Sequence, residues 1–242
     1  MTGRGKYVVI GEGVRIGSNV AIGHHVVIHD GSVIGDHVRI HDHAVIGKLP
    51  MKAKRSATTA IDPSLPPTII GDGCTIGTGS IIYRGAELAR DVFVADLATV
   101  REKVAIGEET IVGRGVAIEN ACTVGVRCKL ETGSYLCAYS ALEDDVFIAP
   151  YVVTTNDNAM ARGKHRFRSF KGVTVKRGGR AGAGAVILPG VVIHEEGAAA
   201  AGSVVTRDVE AKRIVAGVPA RYLREVPREQ WLEAPKREGE DA

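Results

Sequence analysis

An isoleucine or another aliphatic residue recurs at every sixth position over most of this chain. The repeat fills three tracts, at residues 10–46, 70–148 and 175–205, and a small or β-branched residue usually stands two positions before each aliphatic one. Strand residues alternate in this way, but strands this short at a constant spacing do not form hairpins. The pattern predicts a coil of short parallel strands, in which each repeat buries its apolar side against its neighbours.

Two segments interrupt the repeat. Residues 48–67 contain prolines, threonines and four basic residues, and the repeat then resumes in phase. The second interruption follows the stretch "TTNDN", and the repeat returns shifted by three positions because Ile148 and Val175 are 27 residues apart. Loops that leave a rigid scaffold often carry binding and catalytic residues. We therefore expect both segments to project from the prism, with a solvated surface excursion as the alternative for each.

The repeat divides the chain into parts of one continuous domain. We predict N-terminal coils at 1–47, a loop insertion at 48–67, central coils at 68–155, a candidate active-site loop at 156–172, C-terminal coils at 173–206, and a C-terminal segment at 207–242. Pro219 is placed to begin a short helix in the last segment, and Pro227 to divide it. The charged tail is expected to be disordered.

Composition narrows the class of protein. With 242 residues and 45% hydrophobic content the chain can bury a large core. The net charge of +3 is too small to indicate a nucleic-acid or membrane-binding surface, and no apolar run has the length of a signal peptide core or a membrane span, so we expect a cytoplasmic protein. Cys74, Cys122 and Cys128 occupy a repeat position that otherwise holds small residues, which predicts core packing without disulfides or zinc.

Positions 18 residues apart stack on one corner if three repeats complete a coil. One such column contains Arg84, Glu102, Asn120, Ala138 and Asn156, and it is polar except at Ala138. Two coils separate Asn120 from Asn156, which is roughly 9 to 10 Å. The column therefore predicts a pocket with amide walls, and a ladder of corner asparagines is the alternative, since asparagine tolerates positive φ.

Several stretches resemble a known family. The segments "VRIGSNVAIGHHVVI", "RAGAGAVILPGVVI" and "IVAGVPAR" resemble the left-handed β-helix acyltransferases, the hexapeptide-repeat family, over almost the whole chain. The resemblance implies an all-β, left-handed parallel β-helix, acetyl-CoA as co-substrate, and homotrimers with active sites between subunits. The left hand comes from the resemblance, since parallel crossovers are generally right-handed.

Within that family the chain is similar to N-acetyltransferases of nucleotide-linked amino sugars. The similarity rests on "LEDDVFIAPYVVTTNDN" followed by "VKRGGRAGAGAVILPGVVI". In that subfamily an acid often stands one coil after the position of Asn120, whereas this chain has Ala138 there. The implied reaction is attack of the sugar amine on the acetyl-CoA thioester.

The resemblance and the column together give the candidate site residues. Asn120, Asn156 and Asp157 are candidates for catalysis, with Asp157 the nearest loop carboxylate that could take or orient a proton. The candidates for binding the sugar nucleotide are Arg84, Glu102, Tyr139, Asn158, Arg162 and Arg166. The candidates for the coenzyme are Gly182, Ala183, Gly184, Ala201, Gly202 and Arg221, of which Ala183-Gly184 and Ala201-Gly202 should stack as a smooth corner for the pantetheine arm.

Other functions remain open at this point. A non-catalytic scaffold would suit the long N-terminal tract, and an acyltransferase could instead act on a different small amine or a hydroxyl. Six of the eight histidines lie between residues 24 and 43, but His24 and His29 lack the earlier partner that the related γ-carbonic anhydrases require. We therefore expect no metal, and we expect His25 and His43 to stack.

Overall fold

The computed structural model describes residues 3–59, 61–163 and 169–233. It confirms the predicted all-β fold, a parallel coil whose arrangement is consistent with a left-handed β-helix. Most strands are two residues long, because each hexapeptide turns a corner before and after its aliphatic residue.

The strands, numbered in chain order, are β1 (Gly3–Arg4), β2 (Val9–Ile10), β3 (Arg15–Ile16), β4 (Ala21–Ile22), β5 (Val27–Ile28), β6 (Val33–Ile34), β7 (Arg39–Ile40), β8 (Val45–Lys48), β9 (Ile69–Ile70), β10 (Thr75–Ile76), β11 (Ile81–Tyr83), β12 (Glu87–Leu88), β13 (Phe93–Val94), β14 (Thr99–Val100), β15 (Ala105–Ile106), β16 (Ile111–Val112), β17 (Ala117–Ile118), β18 (Thr123–Val124), β19 (Lys129–Leu130), β20 (Tyr135–Leu136), β21 (Ala141–Leu142), β22 (Phe147–Ile148), β23 (Val153–Thr154), β24 (Thr174–Val175), β25 (Arg180–Ala181), β26 (Val186–Ile187), β27 (Val192–Ile193), β28 (Ala198–Ala199), β29 (Val204–Val205), β30 (Arg213–Gly217) and β31 (Ala220–Glu225). A 3-10 turn follows at Arg228–Gln230.

Every third strand belongs to the same sheet, so the coil has three flat faces. Face A contains β1, β4 and each third strand to β28, then β30 and β31. Face B runs from β2 to β29, and face C from β3 to β27. The strands pair in register at 18-residue spacing, as in Thr99↔Ala117 and Ala117↔Tyr135. The prediction that positions 18 apart stack on one corner therefore holds within each tract.

The core is a column of aliphatic side chains inside the three faces. Ile28, Ile46 and Ile82 on face B have no exposed surface, and the second residue of most strands is similarly buried. Burying such a side chain stabilises the fold by about 1.5–3 kcal/mol. All four cysteines are buried and unpaired, and for Cys74, Cys122 and Cys128 this confirms the predicted core role.

The two interruptions leave the prism at the same corner. Residues 48–67 connect β8 on face B to β9 on face C, and Val33 pairs directly with Ile69, so this segment adds no coil. The second connection runs from β23 on face B to β24 on face C. We call this edge of the prism the B–C corner.

The C-terminal segment differs from the prediction. Pro219 does not begin a helix, because residues Ala220–Glu225 form β31, which pairs antiparallel with β30 after a cis Val218–Pro219 bond. β30 also continues face A by pairing with β28, so the hairpin supplies backbone partners to the last edge of that sheet. The helical part is the 3-10 turn at Arg228–Gln230, which follows Pro227. No helix in the described ranges has the length and apolar character to cross a membrane.

Candidate functional site

The predicted polar column lies along the B–C corner. Each of its residues follows a face-B strand: Arg84 after β11, Glu102 after β14, Asn120 after β17, Ala138 after β20 and Asn156 after β23. The in-register pairing of these strands stacks the five positions. The structure therefore brings the column together as a continuous line between the two loops.

The 48–67 loop folds back over the lower half of this column. Arg84 donates from Nε to the carbonyl of Leu65 at 3.0 Å and from Nη1 to the carbonyl of Asp30 at 2.8 Å. Lys103 Nζ lies 3.0 Å from Asp62 Oδ2, and both Thr59 and Leu65 are buried. The loop thus packs on the column, and the predicted sugar-binding residue Arg84 holds it there.

A partly buried charge cluster lies beside the loop. Arg101 contacts Glu102 through two hydrogen bonds of 2.9 and 3.2 Å, Glu119 at 3.3 Å, and the Thr59 hydroxyl at 3.2 Å. Its guanidinium also lies 4.8 Å from the ring centroid of Tyr83. The pKa of Glu119 is raised, because the effect of burial is larger than the opposing attraction of Arg101. Glu102, which the sequence suggested for sugar binding, is only 4% exposed, and both carboxylate oxygens are paired with Arg101.

Arg101 and Glu119 were missed at the sequence level. Their numbers differ by 18, so the spacing that stacks Glu102 on Asn120 also stacks these two residues. A search of the column's immediate neighbours for opposite charges 18 apart would have found the pair.

Asn120 lies where the loop, the column and a cavity meet. Its Nδ2 donates to the carbonyl of Thr58 at 3.1 Å, while its Oδ1 is buried and accepts no hydrogen bond from the described residues. The cavity beside it has a volume of about 220 Å³ and is lined by Thr58, Asp62, Leu65, Glu102, Lys103, Asn120, Ala121 and Tyr139. Tyr139, predicted from sequence to bind the sugar, is 44% exposed at the rim.

The second loop closes the upper end of the column. Asn156 donates from Nδ2 to the carbonyl of Ala138 at 3.3 Å and accepts the N–H of Lys171 on its own carbonyl at 3.2 Å. The two Asp157 carboxylate oxygens accept the N–H groups of Ala159 and Ala161 at 2.8 and 2.9 Å. These two hydrogen bonds hold the turn that follows Asp157 in the loop.

The remaining loop candidates are placed only in part. Asn158 and Arg162 are exposed, beyond the column residue Asn156. Arg166 lies outside the described residues. Neither Asn158 nor Arg162 is among the described residues that line the cavity beside Asn120.

The predicted coenzyme residues lie at a different edge, which we call the A–B corner. Gly182, Ala183 and Gly184 follow β25 on face A, and Ala201 and Gly202 occupy the same positions after β28. Gly184 and Gly202 have φ of +66° and +67°, and a side chain added at either would meet no atom within 4 Å. The corner is therefore smooth and open to solvent, and the Ala183 N–H donates to no described residue.

The C-terminal hairpin continues from this corner. Ala200 N–H donates to the carbonyl of Val215 at 2.8 Å, and Arg221 stands opposite Ala216 on the outer strand. A second cavity of about 170 Å³ lies here. Its lining includes Arg207, Arg213, Arg221, Tyr222 and the two acids Asp208 and Glu210, and Arg213 is paired with Glu210. The predicted phosphate-binding residue Arg221 thus lies in line with the glycine corner.

The histidine cluster forms a surface stack. Tyr7, His25 and His43 lie at the A–B corner near the first coils, with ring centroids 4.9 Å apart in each pair. The predicted stacking of His25 on His43 is therefore confirmed. Within the described part of the chain, no three His, Cys, Asp or Glu side chains are grouped to hold a metal ion.

Comparison with known proteins identifies the repeat. Residues 13–48 match the family model described as bacterial transferase hexapeptide (six repeats). The coils outside this match continue the same six-residue period and the same strand pairing. Both the hexapeptide-repeat resemblance and the β-helix inferred from sequence are thus confirmed. A search of curated proteins found no match.

Solved structures that resemble the chain include three acetyltransferases. A galactoside acetyltransferase in complex with coenzyme A is 25% identical, with 53% of this chain and 68% of that chain covered and a TM-score of 0.47. A hexapeptide-repeat acetyltransferase from Vibrio cholerae O1 biovar eltor, complexed with acetyl coenzyme A, is 24% identical over 52% and 72% of the two chains, with a TM-score of 0.46. A perosamine N-acetyltransferase variant from Caulobacter crescentus, in complex with CoA and GDP-perosamine, is 25% identical over 60% and 57%, with a TM-score of 0.29.

Proposed function

We propose that this chain, which carries the bacterial transferase hexapeptide repeat, is an acyltransferase that moves an acetyl group from acetyl-CoA to the amine of a nucleotide-linked amino sugar. The observation that carries the proposal is the buried Oδ1 of Asn120, which has no hydrogen-bond donor among the described residues and lies beside a cavity in the polar B–C column. Leaving such a group unpaired costs about 1–3 kcal/mol. Three buried polar atoms lack a partner among the described residues, the other two being the Ser134 and Ser203 hydroxyls, and the Asn120 Oδ1 is the one that belongs to a residue lining this cavity. A substrate N–H would supply the missing donor.

The coenzyme half of the proposed site is the A–B corner. A pantetheine arm can lie along Ala183-Gly184 and Ala201-Gly202, because glycine leaves the backbone accessible and the Ala183 N–H is available to a ligand carbonyl. Arg221 on the outer strand of the hairpin would meet the phosphates. Acetyl-CoA is the co-substrate in this account, and no metal takes part in it.

The two halves lie on opposite edges of face B. The path from Gly184 across β26 to Pro189 at the B–C corner is five residues, or about 15 Å of extended chain. The first residue of every face-B strand is uncharged, and the charge within these strands is Lys48 at the end of β8. The first residues are Val9, Val27, Val45, Ile81, Thr99, Ala117, Tyr135, Val153, Val186 and Val204. Faces A and C carry charges such as Arg39 and Glu87 at these positions.

This contrast supports a homotrimer in which neighbouring copies pack through face B. Uncharged and apolar surface is typical of the core of an interface between identical subunits. The A–B corner of one copy would then approach the B–C corner of the next. An active site between copies would combine an acceptor half from one chain with a coenzyme half from its neighbour.

The reaction needs orientation more than a strong base. The amine nitrogen attacks the thioester carbonyl carbon, and the new C–N bond gives a tetrahedral oxyanion. The C–S bond then breaks, the carbonyl forms again, and the thiolate of coenzyme A leaves. The Asn120 Oδ1 would accept an amine N–H, the Asn156 amide would hold a neighbouring hydroxyl, and the Ala183 N–H would support the oxyanion. Asp157 is the candidate for receiving the proton that the nitrogen loses, in addition to its hydrogen bonds within the loop.

Thiol release from acetyl-CoA, measured with a panel of UDP- and dTDP-linked amino sugars, tests the proposal. Each amino sugar is matched with the corresponding sugar nucleotide that has a hydroxyl in place of the amine. Release with the amine compounds and not with their hydroxyl partners supports N-acetylation. Release with the hydroxyl compounds alone makes the chain an O-acyltransferase, and failure of both release and coenzyme A binding favours the scaffold function.

A further inference from the structure

The 48–67 loop forms one side of the acceptor cavity, and this side lies outside the six-residue repeat. Thr58, Asp62 and Leu65 line the cavity on one side, and the column residues Glu102 and Asn120 line it on the other. Three loop residues are fastened to three successive coils: the Leu65 carbonyl to Arg84, Thr59 to Arg101, and the Thr58 carbonyl to Asn120. The loop therefore has a fixed position relative to the column.

We propose that the 48–67 loop is the specificity-determining wall of the acceptor site, and that Arg101 is the residue that positions it. This inference rests on the proposed acyltransferase function. The wall limits the acceptor to a group that fits about 220 Å³ and presents an N–H to the Asn120 Oδ1. Arg101 holds the wall by contacting Thr59, while Glu102 and Glu119 hold Arg101.

The charged groups at the wall balance one another. Arg101 is opposed by the two carboxylates Glu102 and Glu119, Lys103 is balanced by Asp62, and Arg84, which holds the Leu65 carbonyl, brings the sum of these groups to zero. The wall therefore offers an entering phosphate or carboxylate no excess of positive charge. A neutral amine, the form that attacks a thioester, needs none.

The loop can be removed without breaking the frame of the coil. Deletion of residues 49–66 joins Lys48 to Pro67 and leaves Ile46 and Ile70 six positions apart, as in the uninterrupted repeat. β8 and β9 already stack on β5 and β6 in the full chain. The deletion variant should therefore keep its coils and its coenzyme corner.

The test compares the full chain with this deletion for acetyl transfer to amino sugars of increasing size and to their hydroxyl and carboxylate analogues. We expect the deletion to raise KM for the preferred amine by about tenfold or more, to accept larger acceptors that the full chain rejects, and to bind coenzyme A within about twofold of the full chain. Thr59→Val, which removes the hydroxyl that Arg101 contacts, should raise KM by a smaller factor. Met51→Ala changes an exposed loop residue and is the matched control, with unchanged KM.

The outcomes separate this inference from the function on which it rests. A full chain that transfers acetyl groups while the deletion keeps the same ranking of acceptors overturns the inference and leaves the proposed function intact. A full chain that transfers to no acceptor overturns both. If the deletion lowers solubility, Arg101→Lys provides the second test. This variant keeps the charge but loses the two-point contact with Glu102. It should raise KM for the acceptor with little effect on coenzyme A binding.

Discussion

An aspartate at a prism corner accepts the N–H of the preceding coil in six places. The Oδ1 atoms of Asp30, Asp36, Asp42, Asp72, Asp96 and Asp144 lie 2.6 to 2.9 Å from these nitrogens. In each case a glycine precedes the donor, and a side chain on that glycine would lie within 2.8 Å of the carboxylate. The corner at Ala201 has the same arrangement, with Gly182 before the donor Ala183, but it lacks the aspartate. Ala201→Asp should therefore complete the hydrogen bond.

The substitution should separate stability from coenzyme binding. A new hydrogen bond to a charged acceptor at an exposed corner stabilises the fold by about 1 kcal/mol, which corresponds to a rise in Tm of about 2–4 °C for a chain of this size. The same carboxylate occupies the Ala183 N–H and places a negative charge beside the path of a phosphorylated coenzyme. We expect coenzyme A to bind at least tenfold more weakly, which is about 1.4 kcal/mol.

Isothermal titration calorimetry with coenzyme A and thermal unfolding of the same samples measure both effects. The matched control is Val126→Asp at the corner between faces C and A. There Gly107 precedes Glu108, whose N–H donates to no described residue, and no coenzyme is expected. This control should keep full affinity for coenzyme A. An Ala201→Asp variant that folds and binds coenzyme A as tightly as the unmodified chain would refute the assignment of this corner.

Further predictions concern the column, the core and two kinds of titrating group. Asn120→Ala and Asn156→Ala should each lower kcat/KM by about 100-fold in the acetyl-transfer assay while Tm falls by only a few degrees, and equal rates would remove the residue from the mechanism. Ile118→Ala should lower the free energy of unfolding by about 2–5 kcal/mol in urea titrations because Ile118 has no exposed surface, whereas Thr123→Ala on the exposed side of face C should change it by less than about 0.5 kcal/mol. Burial raises the pKa of Cys74 and Cys128 to about 11 and that of Cys122 to about 12. These thiols should therefore react with a disulfide reagent at pH 8 only after unfolding. Rapid labelling of the folded protein would contradict their burial. Hydrogen bonds from Ser64 and Lys103 lower the pKa of Asp62 to about 2. Its contribution is present above pH 3.8 and is lost as the pH falls towards 2. The protection factors of the Ser64 and Leu65 amides, which correct for the pH dependence of intrinsic exchange, should therefore be kept at about pH 4 and fall near pH 2.

The six-residue period predicted the faces and the core because stacking is repetitive. Once Ile118 is stacked between Val100 and Leu136, every residue 18 positions away is fixed in register. The same rule stacked Asn120 above Glu102 and placed Gly184 below Gly202. These parts of the structure depend on local spacing alone, so the sequence was sufficient for them.

The contacts of the 48–67 loop could not be predicted in this way. Arg84 binds the carbonyls of Leu65 and Asp30, and Asn120 binds the carbonyl of Thr58, and any residue type could supply such a carbonyl. The C-terminal hairpin was missed for a related reason. Pro219 suits the first turn of a helix, but the free edge of face A beside β28 supplied backbone partners for β30, and a long-range contact of this kind has no local signature.

The central claim is that acetyl transfer takes place between an acceptor half and a coenzyme half contributed by different copies of the chain. Mixed oligomers of Asn156→Ala and Ala201→Asp chains, isolated by two affinity tags, test it directly. At acetyl-CoA concentrations well below KM, the account predicts that Asn156→Ala alone keeps about 1% of the activity and Ala201→Asp alone at most about 10%. Mixed trimers should regain about a third of their sites, since one junction in each joins an intact acceptor half to an intact coenzyme half. Mixtures of Asn156→Ala with Asn120→Ala, which both lack the acceptor half, should show no such recovery. Mixed oligomers of Asn156→Ala and Ala201→Asp that show no recovered activity would contradict the claim.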